Sequence, residues 1–233
     1  MRNAIMAAMV LTLATLAQAG GHWRFERTYV DGADTKTADW SGNGNHGTLI
    51  GGPTLVDGRV GRGMQFVGTS NQRVDVGTGI QIADRSVFTF CMWIKAASTG
   101  TSWENFFRPV ADNRGWMIQR SGTGANVVFR VDTSGGFNQG TVVSGFLTGS
   151  WVHLAMVVDV DVIRIYRDGS LASTWSPDFG DGIWNPDAVF RVGNDWTSGV
   201  FDADDVIITP FAWTEEEVRA YYHTGVVPAR RSE

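Results

Sequence analysis

In the stretch ADWSGNGNHGTLIGG, residues 38–52, Asp39, Ser41, Asn43 and Asn45 put an oxygen-bearing side chain at every second position. Alternating oxygens held by glycines suit a hard cation, because Ca2+ gathers several oxygens from carboxylates, amides and backbone carbonyls. The same residues fit the first half of an EF-hand loop, with Gly44 at its sharp turn, but Ile50 stands where the bidentate Glu is needed. No helix flanks the loop, so it is not an EF-hand. One carboxylate is too little charge for a tight site, and a second acid has to come from elsewhere in the chain. The competing reading is an Asn-Gly turn without a metal.

A second group that could do chemistry is aromatic. Trp103, Trp175, Trp184 and Trp196 lie in polar, glycine-containing stretches, where an exposed ring offers an apolar face to the C–H groups of a sugar. Trp184 and Trp196, with Asn194 and Asp195 beside them to bond hydroxyls, are the best ligand-binding constellation in the sequence; the competing reading is loop aromatics folded back over the rim of the sandwich. Trp23, Trp93 and Trp151 sit within strand patterns and read as core.

No catalytic residue is expected. A retaining glycosidase needs two carboxyls about 5 to 5.5 Å apart, but Glu26 and Glu104 are isolated and Glu215–Glu217 sit at a helix start. Asp159 and Asp161 fall in a turn; Asp202 and Asp204 have strand spacing, but cation binding explains that pair better. The four histidines lack zinc-ligand spacing, Gly61-Arg62-Gly63 is followed by no phosphate-loop Lys, and Cys91 lies in an apolar strand. Neither a nucleotide cofactor nor a nucleophile is indicated.

The elements that must position these residues are strands. From residue 23 to 209 the apolar residues come in short β-branched and aromatic runs broken by Gly, Asn, Asp, Ser or Pro. The clearest runs are His22–Arg27, Gly63–Val67, Arg73–Val76, Val87–Lys95, Gly115–Gln119, Val127–Val131, Trp151–Val158, Val162–Arg167, Val189–Val192 and Asp204–Ile208. Both faces of Val87–Lys95 are apolar, which predicts a central strand covered on two sides. Asp168-Gly169 predicts a tight hairpin. Only residues 214–225 have helical character, with Thr214 and Glu217 as a capping box and Gly225 as the stop. Many strands without βαβ alternation predict an all-β, antiparallel two-sheet sandwich or jelly roll with one short C-terminal helix.

The chain of 233 residues is large enough to bury a core as one domain. Residues 1–19 read as a secretory signal: Arg2, an apolar run over Ala4–Ala17, and the small-x-small ending Ala17-Gln18-Ala19 before Gly20; the alternative is a single anchor helix, for which the run is short. Removing Arg2 with that leader leaves 18 basic and 24 acidic residues, a balance of −6 that argues against nucleic acid as a partner. The single cysteine cannot form an intrachain disulfide.

Taken in order, WRFE (23–26), DWSGNGNHGTLIGGP (39–53), VDGRVGRGMQFVG (56–68), FTFCMWIK (88–95), WVHLAMVVD (151–159), IYRDGSL (165–171) and FDADDVIITPFAWTEEEVRAYY (201–222) carry a family resemblance. The chain resembles the laminin-G-like members of the concanavalin A-like lectin/glucanase superfamily, from His22 to about Gly225. The resemblance implies a jelly roll that binds glycans or surface partners, often with one Ca2+. It also implies the missing acid, at the start of the last strand, where alternation separates Asp204 from Asp205 and favours Asp204. Asp202 departs from the pattern, since family members often carry Gly there. The expectation is a secreted, extracellular or cell-surface domain of residues 20–233. It would bind a glycan or surface component, with one structural Ca2+ on Asp39, Asn43, Asn45 and Asp204. The alternative is a structural or adhesive subunit held by contacts with an extracellular protein.

Overall fold

A computed structural model describes residues 20–68, 71–76, 80, 87–109, 115–133, 136–180, 183, 189–193 and 199–229. The first seven strands are β1 (Gly21–Trp23), β2 (Thr28–Asp31), β3 (Asp34–Thr37), β4 (Gly47–Ile50), β5 (Thr54–Asp57), β6 (Arg62–Val67) and β7 (Arg73–Asp75). They are followed by β8 (Val87–Ala96), β9 (Asn105–Pro109), β10 (Trp116–Arg120), β11 (Val127–Thr133) and β12 (Gly136–Val143). The chain continues with β13 (Val152–Asp159), β14 (Val162–Arg167), β15 (Ser170–Trp175), β16 (Phe190–Gly193), β17 (Val200–Thr209) and the helix α1 (Glu215–Thr224).

Two antiparallel sheets result. One has eight strands in the order β15-β14-β13-β8-β17-β6-β5, with β1 added against β17; the other has nine, in the order β12-β11-β10-β9-β16-β7-β4-β3-β2. All ten runs legible in the sequence are strands, and both ends of α1 are capped as predicted. Thr214 and Glu217 form the capping box, and Gly225 takes the left-handed C-cap at φ 69°.

Strand β8 shows why the sequence folds this way. Phe88, Phe90, Met92 and Ile94 alternate into the space between the sheets, while Cys91 belongs to a second apolar layer beneath α1. In the central layer, Trp116 stacks on Phe107 at 4.8 Å and meets Phe88, Phe90 and Phe190 within 5.5 Å. Aromatic packing of this kind supplies much of the stability in a chain whose only cysteine is free and buried. On the outer layer, Trp213, Val218 and Tyr221 cover Cys91, Ala155 and Val157, and the Trp213 amide donates to Thr89 Oγ1 at 2.9 Å. This tie fixes α1 on the back of the eight-stranded sheet.

The expected strand His22–Arg27 is shorter than its pattern, because Phe25 takes a left-handed φ of 54° and ends β1 at Trp23. Gly21 is required there, since a Cβ would lie 2.3 Å from the Trp23 ring. Strand β17 also departs from regular pairing. Its register shifts between Asp204 and Ile207, with Asp205 at φ 46°, so that β6 flanks its first half and β1 its second.

Candidate functional site

The loop between β3 and β4 is held together by its own alternating polar residues. Asp39 Oδ1 accepts from the His22 amide at 3.0 Å and the Ser41 amide at 2.8 Å, and Oδ2 accepts from the Asn45 amide at 2.9 Å. Ser41 Oγ accepts from the Asn43 amide at 3.3 Å. The side-chain amides of Asn43 and Asn45 both donate to the Gly20 carbonyl, at 3.3 and 2.6 Å. Gly42 and Gly44 provide the reversals at φ 86° and 77°. The spacing that suits a cation therefore also suits backbone N–H donors, and those donors are what face Asp39.

The structure brings Asp39, Asn43 and Asn45 together around the Gly20 carbonyl but places Asp204 elsewhere. Asp204 is fully buried; its Oδ2 accepts from the amides of Arg59 and Val60 at 2.8 and 3.0 Å, and its Oδ1 accepts from the Asp205 amide at 2.8 Å. Burial pushes this carboxyl up to about 7, against the pull of those three donors. Strand β1 carries the glycine loop to the level of Ile207 and Ile208 on β17, and Asp204 lies roughly 10 Å further along the strand at about 3.3 Å per residue. Among the described residues, no group of three or more His, Cys, Asp or Glu side chains is placed to hold a metal ion. Asp39 and Asp204 are thus fastened by separate sets of backbone donors. The acid of β17 that does reach β1 is Asp205, whose Oδ1 lies 3.0 Å from His22 Nε2 and 3.5 Å from Arg24 Nε.

Trp184, Trp196, Asn194 and Asp195 lie outside the described residues. Of the other loop tryptophans, Trp175 packs against the core, whereas Trp103 is 51% exposed at a left-handed φ of 64°. Trp40 is 49% exposed with the Arg24 guanidinium 5.5 Å from its ring centre. It borders a cleft of about 210 Å³ between the glycine loop, Gly20–His22 of the entering chain, Pro210 and Phe211 beyond β17, and Val227-Pro228. Sequence reasoning passed over Trp40 because its neighbours suggested a metal. The usable signal was an aromatic residue inside a glycine-rich turn, where a ring has no strand face to bury.

Trp103 belongs to a different device. Residues 97–104 and 121–126 are two loops joined by a buried ion pair, Arg120 Nε to Glu104 Oε2 at 2.7 Å, with both side chains at most 2% exposed. Arg120 also donates to the carbonyls of Ala97 and Gly124, at 3.1 and 2.7 Å, and the Thr101 amide donates to Glu104 Oε1 at 2.9 Å. Glu104, which looked isolated in sequence, is the hub of this rim. The cleft and the rim lie at opposite ends of β17, roughly 30 Å apart along a ten-residue strand.

A laminin-G family model, described as the concanavalin A-like lectin/glucanases superfamily, matches residues 68–219. No curated protein sequence matches the chain. Among solved structures, the binding domain of Paraclostridial Mosquitocidal Protein 1 superposes with a TM-score of 0.70 at 19% identity, covering 88% of this chain and 52% of that one. The botulinum neurotoxin serotype D binding domain gives 0.67 at 12% identity, with coverages of 87% and 50%. The binding domain of botulinum neurotoxin DC, solved in complex with rat synaptotagmin II, gives 0.65 at 15%, with coverages of 81% and 48%. The chain spans about half the length of these structures, and at such identities the likeness is one of fold.

Proposed function

From the premise that this chain belongs to the laminin-G-like family of the concanavalin A-like lectin/glucanase superfamily, we propose that it is a secreted, non-catalytic domain that recognises a glycan or a surface component. One observation carries this reading: two tryptophans, Trp40 and Trp103, stand half exposed on loops that hydrogen bonds and a buried ion pair hold in place. A ring fixed in this way binds without the entropy cost of ordering a loose loop.

The acids support a role without hydrolysis. Asp202, whose spacing from Asp204 along the strand would suit a carboxylate pair, is bonded to Lys95 and Gln65 at 3.1 Å each, and Asp204 is spent on backbone amides. Glu104 is paired with Arg120, and Glu26 accepts from the Arg62 amide at 3.2 Å and lies 3.4 Å from Arg24. Each is tied to a structural partner, where a glycosidase would leave an acid and a nucleophile facing a cleft.

The test is a glycan array together with extracellular-matrix proteins, probed with the mature chain and with the Trp40→Ala/Trp103→Ala double variant. Hits on the parent that vanish in the double variant are expected; hits that persist unchanged would remove both tryptophans from recognition. Mass spectrometry of the secreted chain is expected to find Gly20 at its N-terminus.

A further inference from the structure

The glycine loop between β3 and β4 holds the only Asn-Gly pair of the chain, Asn43-Gly44; every other asparagine is followed by a residue with a side chain. The amide nitrogen that follows an asparagine can attack the carbonyl carbon of its side chain. Glycine in that place removes the Cβ that otherwise crowds the approach. Whether a folded chain permits the attack depends on what that nitrogen is bonded to and on the room around it.

Two asparagines of this loop donate to the same Gly20 carbonyl, and their surroundings set them apart. Behind Asn45 the attacking nitrogen would be that of His46, which donates to the Gly44 carbonyl at 2.9 Å, and the Asn45 side chain is itself held at 2.6 Å. Behind Asn43 the Gly44 amide has no acceptor among the described residues, and the Asn43 side chain is held at a looser 3.3 Å. Gly42 and Gly44, on either side of Asn43, are exposed at φ 86° and 77°. A Cβ built on either would meet no heavy atom within 4 Å beyond its own chain neighbours. The free nitrogen and the open space therefore fall at the same residue.

We infer that Asn43 is a site of self-modification, at which the Gly44 nitrogen displaces ammonia and the loop exchanges an amide for a carboxylate. The Gly44 nitrogen gives its proton to a solvent base and bonds to Asn43 Cγ; the Cγ–Nδ2 bond breaks, and Nδ2 leaves as ammonia with a proton from water. The chain then carries a succinimide ring. Water opens it at Cγ to leave an ordinary aspartate, or at the main-chain carbonyl to leave isoaspartate, with the chain running through the side-chain carbon. Amide and water become acid and ammonia, so no oxidant or reductant is consumed. The product acts on β1. Nδ2 no longer donates to the Gly20 carbonyl, a carboxylate oxygen faces it instead, and Asn45 alone keeps the hold. Isoaspartate also lengthens the main chain just before Gly44, which strains the bond from the Asn45 amide to Asp39 Oδ2. Asn43 lines the cleft beside Trp40, Ser41 and Gly20, so the new negative charge stands on the cleft wall. The first strand is loosened and the cleft recharged as the molecule ages.

The experiment stores the mature chain at mildly acidic and mildly alkaline pH, both folded and in urea. Peptide mass mapping follows Asn43, an isoaspartyl methyltransferase assay follows isoaspartate, and anion exchange follows charge. Asn43→Gln, whose ring would be larger and closes more slowly, is stored alongside. A more acidic form is expected, altered only at residue 43, accumulating faster at alkaline pH and missing from Asn43→Gln. An Asn43 that stays an amide in the folded chain while it converts in urea, or that converts in neither, would overturn the inference, and so would conversion of Asn45 ahead of Asn43. The effect on β1 is read in Asn43→Asp. Hydrogen exchange at residues 20–23 and 39–46 is expected to be on the order of fivefold faster than in the parent, as the loss of one hydrogen bond implies, with α1 and β8 unchanged. Equal exchange in parent and variant would overturn the loosening of β1.

Discussion

At the scale of single residues, Asp39 shows how one chemical preference serves two structures. Its carboxylate faces three backbone amides, those of His22, Ser41 and Asn45, which join the first strand to the glycine loop. Asp39→Ala leaves those donors to find water in a nearly buried setting, and a loss on the order of 2 to 4 kcal/mol in urea unfolding is expected. Asp39→Asn, which keeps an acceptor, should cost less. Because the oxygens are engaged by amides, equal melting temperatures in EDTA and in millimolar Ca2+ are expected; a rise of several degrees with Ca2+ would show instead that an ion gathers on this loop. The sequence made Asp39, Asn43 and Asn45 legible as a cooperating set, since alternating oxygens must meet electron-poor partners. Whether the partner is a cation or an N–H depends on where β1 runs, and spacing within the loop does not contain that. The backbone partners of Asp204 were not legible for a similar reason: a register shift in β17 and the turn at Arg59-Val60 decide what it meets.

At the scale of elements, the sequence reveals strands in proportion to their burial. Runs such as Val87–Ala96 and Val152–Asp159, covered on both faces, stand out as continuous apolar stretches. Strands β2, β3 and β15 carry TYVD, DTKT and SLASTW; largely exposed at or near sheet edges, they lack the apolar alternation that betrays a strand. Strand β9 is obscured by an irregular register against β10, where Ile118 and Gln119 face Phe107 and Asn105. The helix was legible to its caps because capping is local chemistry. The rim ion pair was not, since Glu104 and Arg120 meet only once β9 and β10 pair. Removing one member of a buried pair strands the other, so Glu104→Ala is expected to cost about 3 to 5 kcal/mol. Faster hydrogen exchange confined to residues 97–104 and 121–126 is expected from the milder Glu104→Gln.

At the scale of the whole molecule, the layer between the eight-stranded sheet and α1 gives stability a dependence on acid. His153 is fully buried between Trp93 and Tyr221, and neither ring nitrogen has a hydrogen-bond partner among the described residues. Tyr222 also meets the ring, Cys91 lies in the same layer, and Asp205 on β17 is the acid whose charge reaches it. Burial outweighs Asp205 and lowers His153 from 6.5 to about 3. The unfolded chain then takes up a proton near pH 6.5 that the folded chain refuses, so stability falls as pH drops from 6.5 towards 3, by several kcal/mol at about 1.4 per unit. Asp204, raised from 3.8 to about 7, acts in the opposite sense, favouring the folded state as pH falls from 7 towards 4. In His153→Gln the first contribution is gone, and urea titrations at pH 7 and 4 should show a smaller loss of stability on acidification than in the parent.

The pairing of β1 with β17 has a consequence in time as well as in space. Gly21 opposes Ile208 and Trp23 opposes Val206, so the first segment of the domain finds its hydrogen bonds only once the last strand has been made. Closing so long a loop carries an entropy cost before any contact repays it, which places this chain among slow folders, in the millisecond-to-second range or beyond. Until that last strand emerges, the eight-stranded sheet keeps an unpaired edge where β17 will lie, open to wrong partners.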